Sequence, residues 1–137
     1  MKIQTILATK GANILTVRAN QTLKEAVVLL AKHKIGALIV VDEAGKLAGI
    51  LSERDVIRDA AQRDDALARP VSEVMTKAVV TGTPQDDLRS VMQTMTERRF
   101  RHMPIMDGGQ LAGIISIGDV VKAQLDEYEG EIESLRT

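Results

Sequence analysis

The chain repeats itself. Shifted by 65 residues, the first half lies on the second: Thr16 falls on Thr81, Leu23 on Leu88, Ala26 on Val91, Val27 on Met92, Leu30 on Met95, Ile35 on Phe100 and Asp42 on Asp107. One residue dropped in a turn changes the offset to 64. Leu47-Ala48-Gly49-Ile50 then falls on Leu111-Ala112-Gly113-Ile114, Ser52 on Ser116 and Asp55 on Asp119. A duplication of this kind calls for two copies of one small unit. A half of roughly 50 residues buries too little surface to be comfortable alone, so the halves are expected to pack on each other about a pseudo-two-fold axis, with clefts between them.

Each half reads as β-α-β-β-α, which makes the fold class α/β (α+β). A short strand is expected at Ile14 to Val17 and again at Val79 to Thr81. The helix after it carries apolar Leu23, Ala26, Val27 and Leu30, or Leu88, Val91, Met92 and Met95, at the spacing of one buried face. Thr22 with Glu25 resembles a capping box, and Pro84 fits a helix entrance. Strands at Ala37 to Val41 and Leu47 to Leu51 flank a turn holding Gly45. Strands at His102 to Met106 and Leu111 to Ile115 flank Asp107-Gly108-Gly109-Gln110. A second helix starts near Glu53 and near Gly118. The expected boundaries are 1–12 for an N-terminal helix and lead-in, 13–61 for repeat 1, 62–77 for a polar linker, 78–125 for repeat 2 and 126–137 for a helical extension. Ile3, Ile6 and Leu7 put one apolar side on the N-terminal helix. Val121, Leu125, Tyr128, Ile132 and Leu135 form a seam of 4, 3, 4, 3 spacing. That seam suits either packing on its own domain or a dimer contact, and Gly130 weakens it as a long coiled coil.

The balance of 18 basic and 19 acidic residues leaves a net charge of -1, with no field to draw nucleic acid or an anionic membrane. Phe100 and Tyr128 are the only aromatics, too few for base stacking along a single strand. No apolar stretch approaches a membrane span, no signal peptide is evident at the N-terminus, and a cytoplasmic location is expected. There is no cysteine, so neither disulfides nor thiolate metal sites arise. His33 and His102, the only histidines, sit in no metal-ligand pattern, and no glycine-rich phosphate loop of the Walker type is present. Neither Ser52 nor Ser116 is expected to have a histidine at a nearby repeat position to act as its base. These features argue against an enzyme and against a metal site.

The junction between the hairpin and the second helix occurs twice, as Gly49-Ile50-Leu51-Ser52-Glu53-Arg54-Asp55 and as Gly113-Ile114-Ile115-Ser116-Ile117-Gly118-Asp119. A strand glycine allows close approach to the backbone by a ligand. The serine stands where an N-cap belongs, and the free N–H groups behind it suit a phosphate. The aspartate in the first turn can accept hydrogen bonds from a ribose diol. The same Ser-x-x-Asp is equally a plain capping arrangement, and spacing leaves both readings open. Arg98 and Arg99 fit a helix C-terminus. Arg101 and His102 open a strand where the first half has Gly36 and Ala37, and there they could meet phosphate.

The doubled Gly-h-x-Ser-x-x-Asp, with Arg101-His102-Met103-Pro104-Ile105 before its second copy, resembles the tandem CBS (cystathionine β-synthase) domain pair, or Bateman module, over about residues 10 to 125. The resemblance implies a regulatory module without catalytic activity that binds an adenine nucleotide (AMP, ADP, ATP or NAD, with S-adenosylmethionine in the same ligand range) in clefts between the halves. It implies ribose contacts from Asp55 and Asp119 and phosphate contacts from Ser52, Ser116, Arg101 and His102, with Arg54 a partial substitute where the first half lacks the basic pair. The adenine pocket is implied for Thr9, Lys10 and Ile14 to Thr16 in half one, and for Thr76, Lys77, Val79, Val80 and Thr81 in half two, with Ile50, Met103 and Ile114 against the base. The lack of a basic pair at Gly36-Ala37 implies that the Asp119 site is the stronger for phosphate. A homodimer and a separate protein partner are the expected associations. The alternative is an assembly protein without a nucleotide ligand.

Overall fold

The structure, a computed structural model, describes residues 1–11 and 14–136. The expected boundary at residues 12 and 13, and residue 137, lie outside the described residues. In chain order the elements are α1 (Ile3–Lys10), β1 (Thr16–Arg18), α2 (Leu23–His33), β2 (Ala37–Val41), β3 (Leu47–Ser52), α3 (Glu53–Gln62), α4 (Val71–Val74), α5 (Leu88–Arg98), β4 (His102–Asp107), β5 (Gln110–Ser116) and α6 (Ile117–Arg136), with a 3-10 turn at Ala66–Ala68. They form two compact units, one of Ile14–Val79 and the other of Met1–Asn13 with Val80–Thr137. The first and second repeats are thus each completed by the segment that precedes the other in sequence.

In the first unit β1 pairs in parallel with β2, and β2 pairs antiparallel with β3. Leu23, Ala26 and Leu30 of α2 enter a core with Val17, Leu38, Val40 and Leu51. Thr22 caps α2 by accepting from the Glu25 N–H. Residues 62–77, polar in sequence, add Ala66 and Val71 to that core. An ion pair from Arg69 to Asp59 ties α3 to this segment.

The second unit has the same plan with one strand fewer. Its core holds Leu88, Val91 and Met95 of α5 and Met103, Ile105 and Ile115 of the β4–β5 hairpin. Ile3 and Ile6 of α1 and Val120 and Ala123 of α6 complete it. Both hairpins break register at the same place, between Val40 and Val41 and between Ile105 and Met106. Gly45, Gly108 and Gly109 turn them at positive φ, where glycine has no Cβ penalty.

The strand expected at Val79 to Thr81 does not form. Only Gly82 bridges to Ile105, donating to the Pro104 carbonyl and accepting from Met106 N–H. Two prolines explain this. Where Ala19 N–H donates to Val41 O and extends β1 in the first unit, the second has Pro84, which has no N–H. Pro104 likewise cannot donate to the residues before Gly82. Pro84 also lies outside α5, whose N-cap is Asp87. Its contribution is to end the strand.

The 20-residue α6 runs on without interruption from the second unit's hairpin. The five seam residues are exposed on it, from Val121 at 45% to Leu135 at 87%. Val120, Ala123 and Gln124 are its buried positions. Packing within its own unit is therefore done by a different face from the seam.

Candidate functional site

Each repeat folds its Gly-h-x-Ser-x-x-Asp segment into the end of a strand and the first turn of a helix. In the first unit the Ser52 N–H donates to Asp55 Oδ2 at 3.0 Å, and the Asp55 N–H donates to Ser52 Oγ at 3.3 Å, a complete capping box. In the second unit Ser116 N–H donates to Asp119 Oδ2 at 2.9 Å and Asp119 N–H donates to Ser116 Oγ at 3.1 Å. The hairpins bring the preceding strands alongside these turns. Ala37 pairs with Ser52, and Glu53 N–H donates to Gly36 O at 3.0 Å. His102 pairs with Ser116, and Ile117 N–H donates to Arg101 O at 2.8 Å. The strand register therefore sets Arg101 and His102 beside Ser116 and Asp119, while Gly36 and Ala37 occupy the matching places in the first unit.

The lead-in segments reach the aspartates in the opposite assignment to the one expected from chain order. Thr76, grouped with the second half, serves the first unit. It makes a two-way backbone bridge with Ile50, N–H to O at 2.9 and 3.0 Å, and its hydroxyl donates to Asp55 Oδ1 at 3.2 Å. Lys10, grouped with the first half, serves the second. Its Nζ donates to Asp119 Oδ2 at 2.6 Å and to the Ile114 carbonyl at 2.9 Å. The two repeats exchange lead-ins because α1 and α4 dock in the same way, each before the other repeat's first helix. Ile3 N–H donates to Asp86 O and Leu88 N–H to Met1 O. Likewise Val71 N–H donates to Gln21 O and Leu23 N–H to Arg69 O. The sequence signal for this pairing is faint: a buried aliphatic, Ile3 or Val71, at the first position of each docked helix.

The motif glycines also have a different use from the expected one. A Cβ on Gly49 would lie 2.7 Å from both Met75 Sδ and the Thr76 carbonyl, and one on Gly113 would lie 2.6 Å from Leu7 Cδ2. The close approach they permit is made by the chain's own lead-ins, with no ligand needed.

Burial pushes the Asp119 carboxyl up, but the Lys10 ammonium and the Ser116 N–H outweigh it and hold the group below the usual carboxylate range. Asp55 is the more enclosed, at 9% exposure.

Other expected residues fall elsewhere. Ile14 and Thr16 lie before and at the start of β1, which is separated from Ser52 by β2. Arg54 and Lys77 are exposed. Val79 is half-buried just before the second repeat. Val80, Thr81 and Met103 line a polar hollow of about 440 Å³ with Ser90, Thr94 and Arg98. Ile50 and Ile114 sit against the lead-ins at their carbonyls. Among the described residues no group of His, Asp and Glu is arranged to hold a metal ion, and no helix is long and apolar enough to cross a membrane.

The family model for the CBS domain matches twice, at residues 6–61 and 71–126. The CBS domain-containing protein YhcV of Bacillus subtilis is 39% identical over 118 residues, 85% of this chain and 83% of that protein. A CBS-domain containing protein from Agrobacterium tumefaciens has a crystal structure that superposes with a TM-score of 0.87 at 42% identity, covering 90% of this chain and 92% of its own. The CBS domain pair of protein MJ0100, solved in complex with 5′-methylthioadenosine and S-adenosyl-L-methionine, superposes with a TM-score of 0.82 at 26% identity, covering 93% of this chain and 98% of its own.

Proposed function

The chain belongs to the CBS domain family, as two copies in tandem, and from that premise we propose that it is a regulatory module that binds an adenine nucleotide and performs no chemistry of its own. One observation carries this reading. A carboxylate and a serine stand at the start of α6 with Arg101 and His102 on the adjoining strand end. Asp119 offers an acceptor for a ribose diol, Ser116 and the first N–H groups of α6 offer donors to phosphate, and the basic pair adds charge. The adenosine-type ligands of the MJ0100 domain pair support the same ligand class. AMP, ADP, ATP and NAD are the ligands proposed, with the Asp119 site preferred over the Asp55 site because Gly36 and Ala37 supply no charge.

A thermal-shift panel of these four ligands and S-adenosylmethionine tests the reading. A ligand at about a hundred times its dissociation constant adds roughly 2.7 kcal/mol, a rise of several degrees for a chain of this size. Asp119→Ala should remove most of that rise while the fold survives. A variant that binds as the parent does would overturn the site assignment.

A second reading is favoured by the Asp55 capping box, which uses its carboxylate fully inside the fold. It makes the module an assembly protein. Exposed Val28 and Ile57 on α2 and α3, and the α6 seam, give it apolar surface for a homodimer. A flat ligand panel, with a dimer lost on truncation after Leu125 in sedimentation, would favour this reading over the first.

A further inference from the structure

The two aspartates are closed over by different means. At Asp55, Thr76 holds its place through the backbone: its N–H and carbonyl bridge Ile50 while its hydroxyl reaches the carboxylate. At Asp119, one ammonium makes the matching bonds. Lys10 Nζ donates to Ile114 O, the counterpart of Ile50 O, and to Asp119 Oδ2. At Asp55 the covering backbone is held in place by a strand-like bridge, and only the short Thr76 hydroxyl can turn away. Uncovering Asp119 requires only side-chain rotation. A cavity of about 300 Å³, lined by Thr5, Thr9, Lys10, Asp119, Lys122 and Asp126, opens on the pair and gives the lysine room to turn.

We propose that Lys10 is a displaceable latch on Asp119 that makes the second repeat's site select phosphorylated adenine nucleotides over uncharged adenosine. This rests on the reading of Asp119 as the ribose acceptor. A ribose diol must take the carboxylate from an ammonium 2.6 Å away. A neutral nucleoside gives the released cation nothing in return. A 5′-phosphate gives it a new anionic partner, and a charge-assisted bond to phosphate is stronger than a bond between neutral groups. The same cation therefore opposes adenosine and assists AMP. Asp55, which faces a hydroxyl, carries no such discrimination.

The test follows the backbone amide signals of Ser116, Ile117 and Asp119 by NMR during titration with adenosine and with AMP, in the parent chain and in Lys10→Met. These amides report the Asp119 site alone. In the parent, AMP should bind more tightly than adenosine. In Lys10→Met, adenosine should gain about two- to fivefold, the release of a partly exposed ion pair. AMP should lose about tenfold, so that the ratio narrows by an order of magnitude or more. Lys10→Gln, which keeps a polar stem, should behave like Lys10→Met. Two titratable ligands whose ratio is unchanged in both variants would overturn the latch and leave the site reading intact. Amides that move with neither ligand in the parent or the variants would overturn the site reading and the latch with it.

Discussion

The two units begin alike and then part. Ile3 and Val71 are both fully buried, and both open a helix that docks before the first helix of the other repeat. Four residues on, Leu7 and Met75 lie over the motif glycines, Gly113 and Gly49. There α4 has stopped: Met75 is its extended C-cap, and the Thr76 N–H and carbonyl bond Ile50 instead. The chain leaves it extended, and Thr76 is free to bridge β3. The α1 sequence continues with Ala8, Thr9 and Lys10 and ends at Gly11, at φ 93°. The extra turn brings a lysine to Asp119. One more helical turn thus converts a backbone closure into a side-chain closure. Duplication preserved the frame, and divergence in a few lead-in residues set the chemistry at each aspartate.

Because the lead-ins are exchanged, the largest effect should come from the helix that crosses from one repeat's sequence to the other's fold. Ile3 is wholly buried in the second unit's core. Ile3→Ala should cost about 2–5 kcal/mol, the range for deleting a buried isoleucine. Hydrogen exchange should show the loss in β4, β5 and α5, with β2 and β3 retaining their protection. Equal loss in β2 and β3 would break the division into units.

The glycine positions sharpen the comparison at smaller cost. At Gly49 the obstruction includes the Thr76 carbonyl, which is backbone fixed by its bridge. At Gly113 it is the end of the Leu7 side chain, which can rotate. Gly49→Ala should therefore destabilise by about 1–3 kcal/mol, and Gly113→Ala by about 1 kcal/mol or less. Thermal unfolding of the two variants measures the gap. An equal cost at both positions would mean that the lead-ins are held with the same rigidity.

Much of this was legible in the sequence. The doubled Leu-Ala-Gly-Ile with Ser and Asp after it fixed the hairpins and both helix starts, since period-2 strands, glycine turns and an N-cap are local signals. The strand expected at Val79 to Thr81 fails because its β-branched run is sound only in isolation. Pro84 and Pro104 cancel it from outside, one of them on a partner strand. The pairing of Lys10 with Asp119 was not readable at all. It joins residues over a hundred positions apart, and repeat logic assigns a lead-in to the half it precedes. Nothing local in Thr9-Lys10 or Thr76-Lys77 says that each crosses over. The motif glycines mark a close approach, but sequence does not say what approaches: in the fold it is Met75 and Thr76 at Gly49 and Leu7 at Gly113.

The smallest expected effect separates the two closures by acid. The folded Asp119 carboxyl titrates below its ordinary value, so it stabilises the fold fully above the unfolded carboxylate value of about 3.9. That contribution fades as the pH falls through the lowered folded value. Asp119 and Lys10 are both partly exposed, with side chains 26% and 37% accessible, which limits the pair to about 0.2–1 kcal/mol. Lys10→Met should accordingly destabilise the second unit by that amount at pH 6, and the difference from the parent should shrink as the pH falls through the lowered folded value and the carboxyl takes up its proton. Denaturant unfolding at pH 6 and at successively lower pH, followed by exchange of the β4–β5 amides, makes the comparison, with the β2–β3 amides unchanged as an internal control. A difference that does not shrink as the pH is lowered would locate the contribution of Lys10 in the packing of its stem, and the second closure would then be as independent of charge as the hydroxyl of Thr76 makes the first.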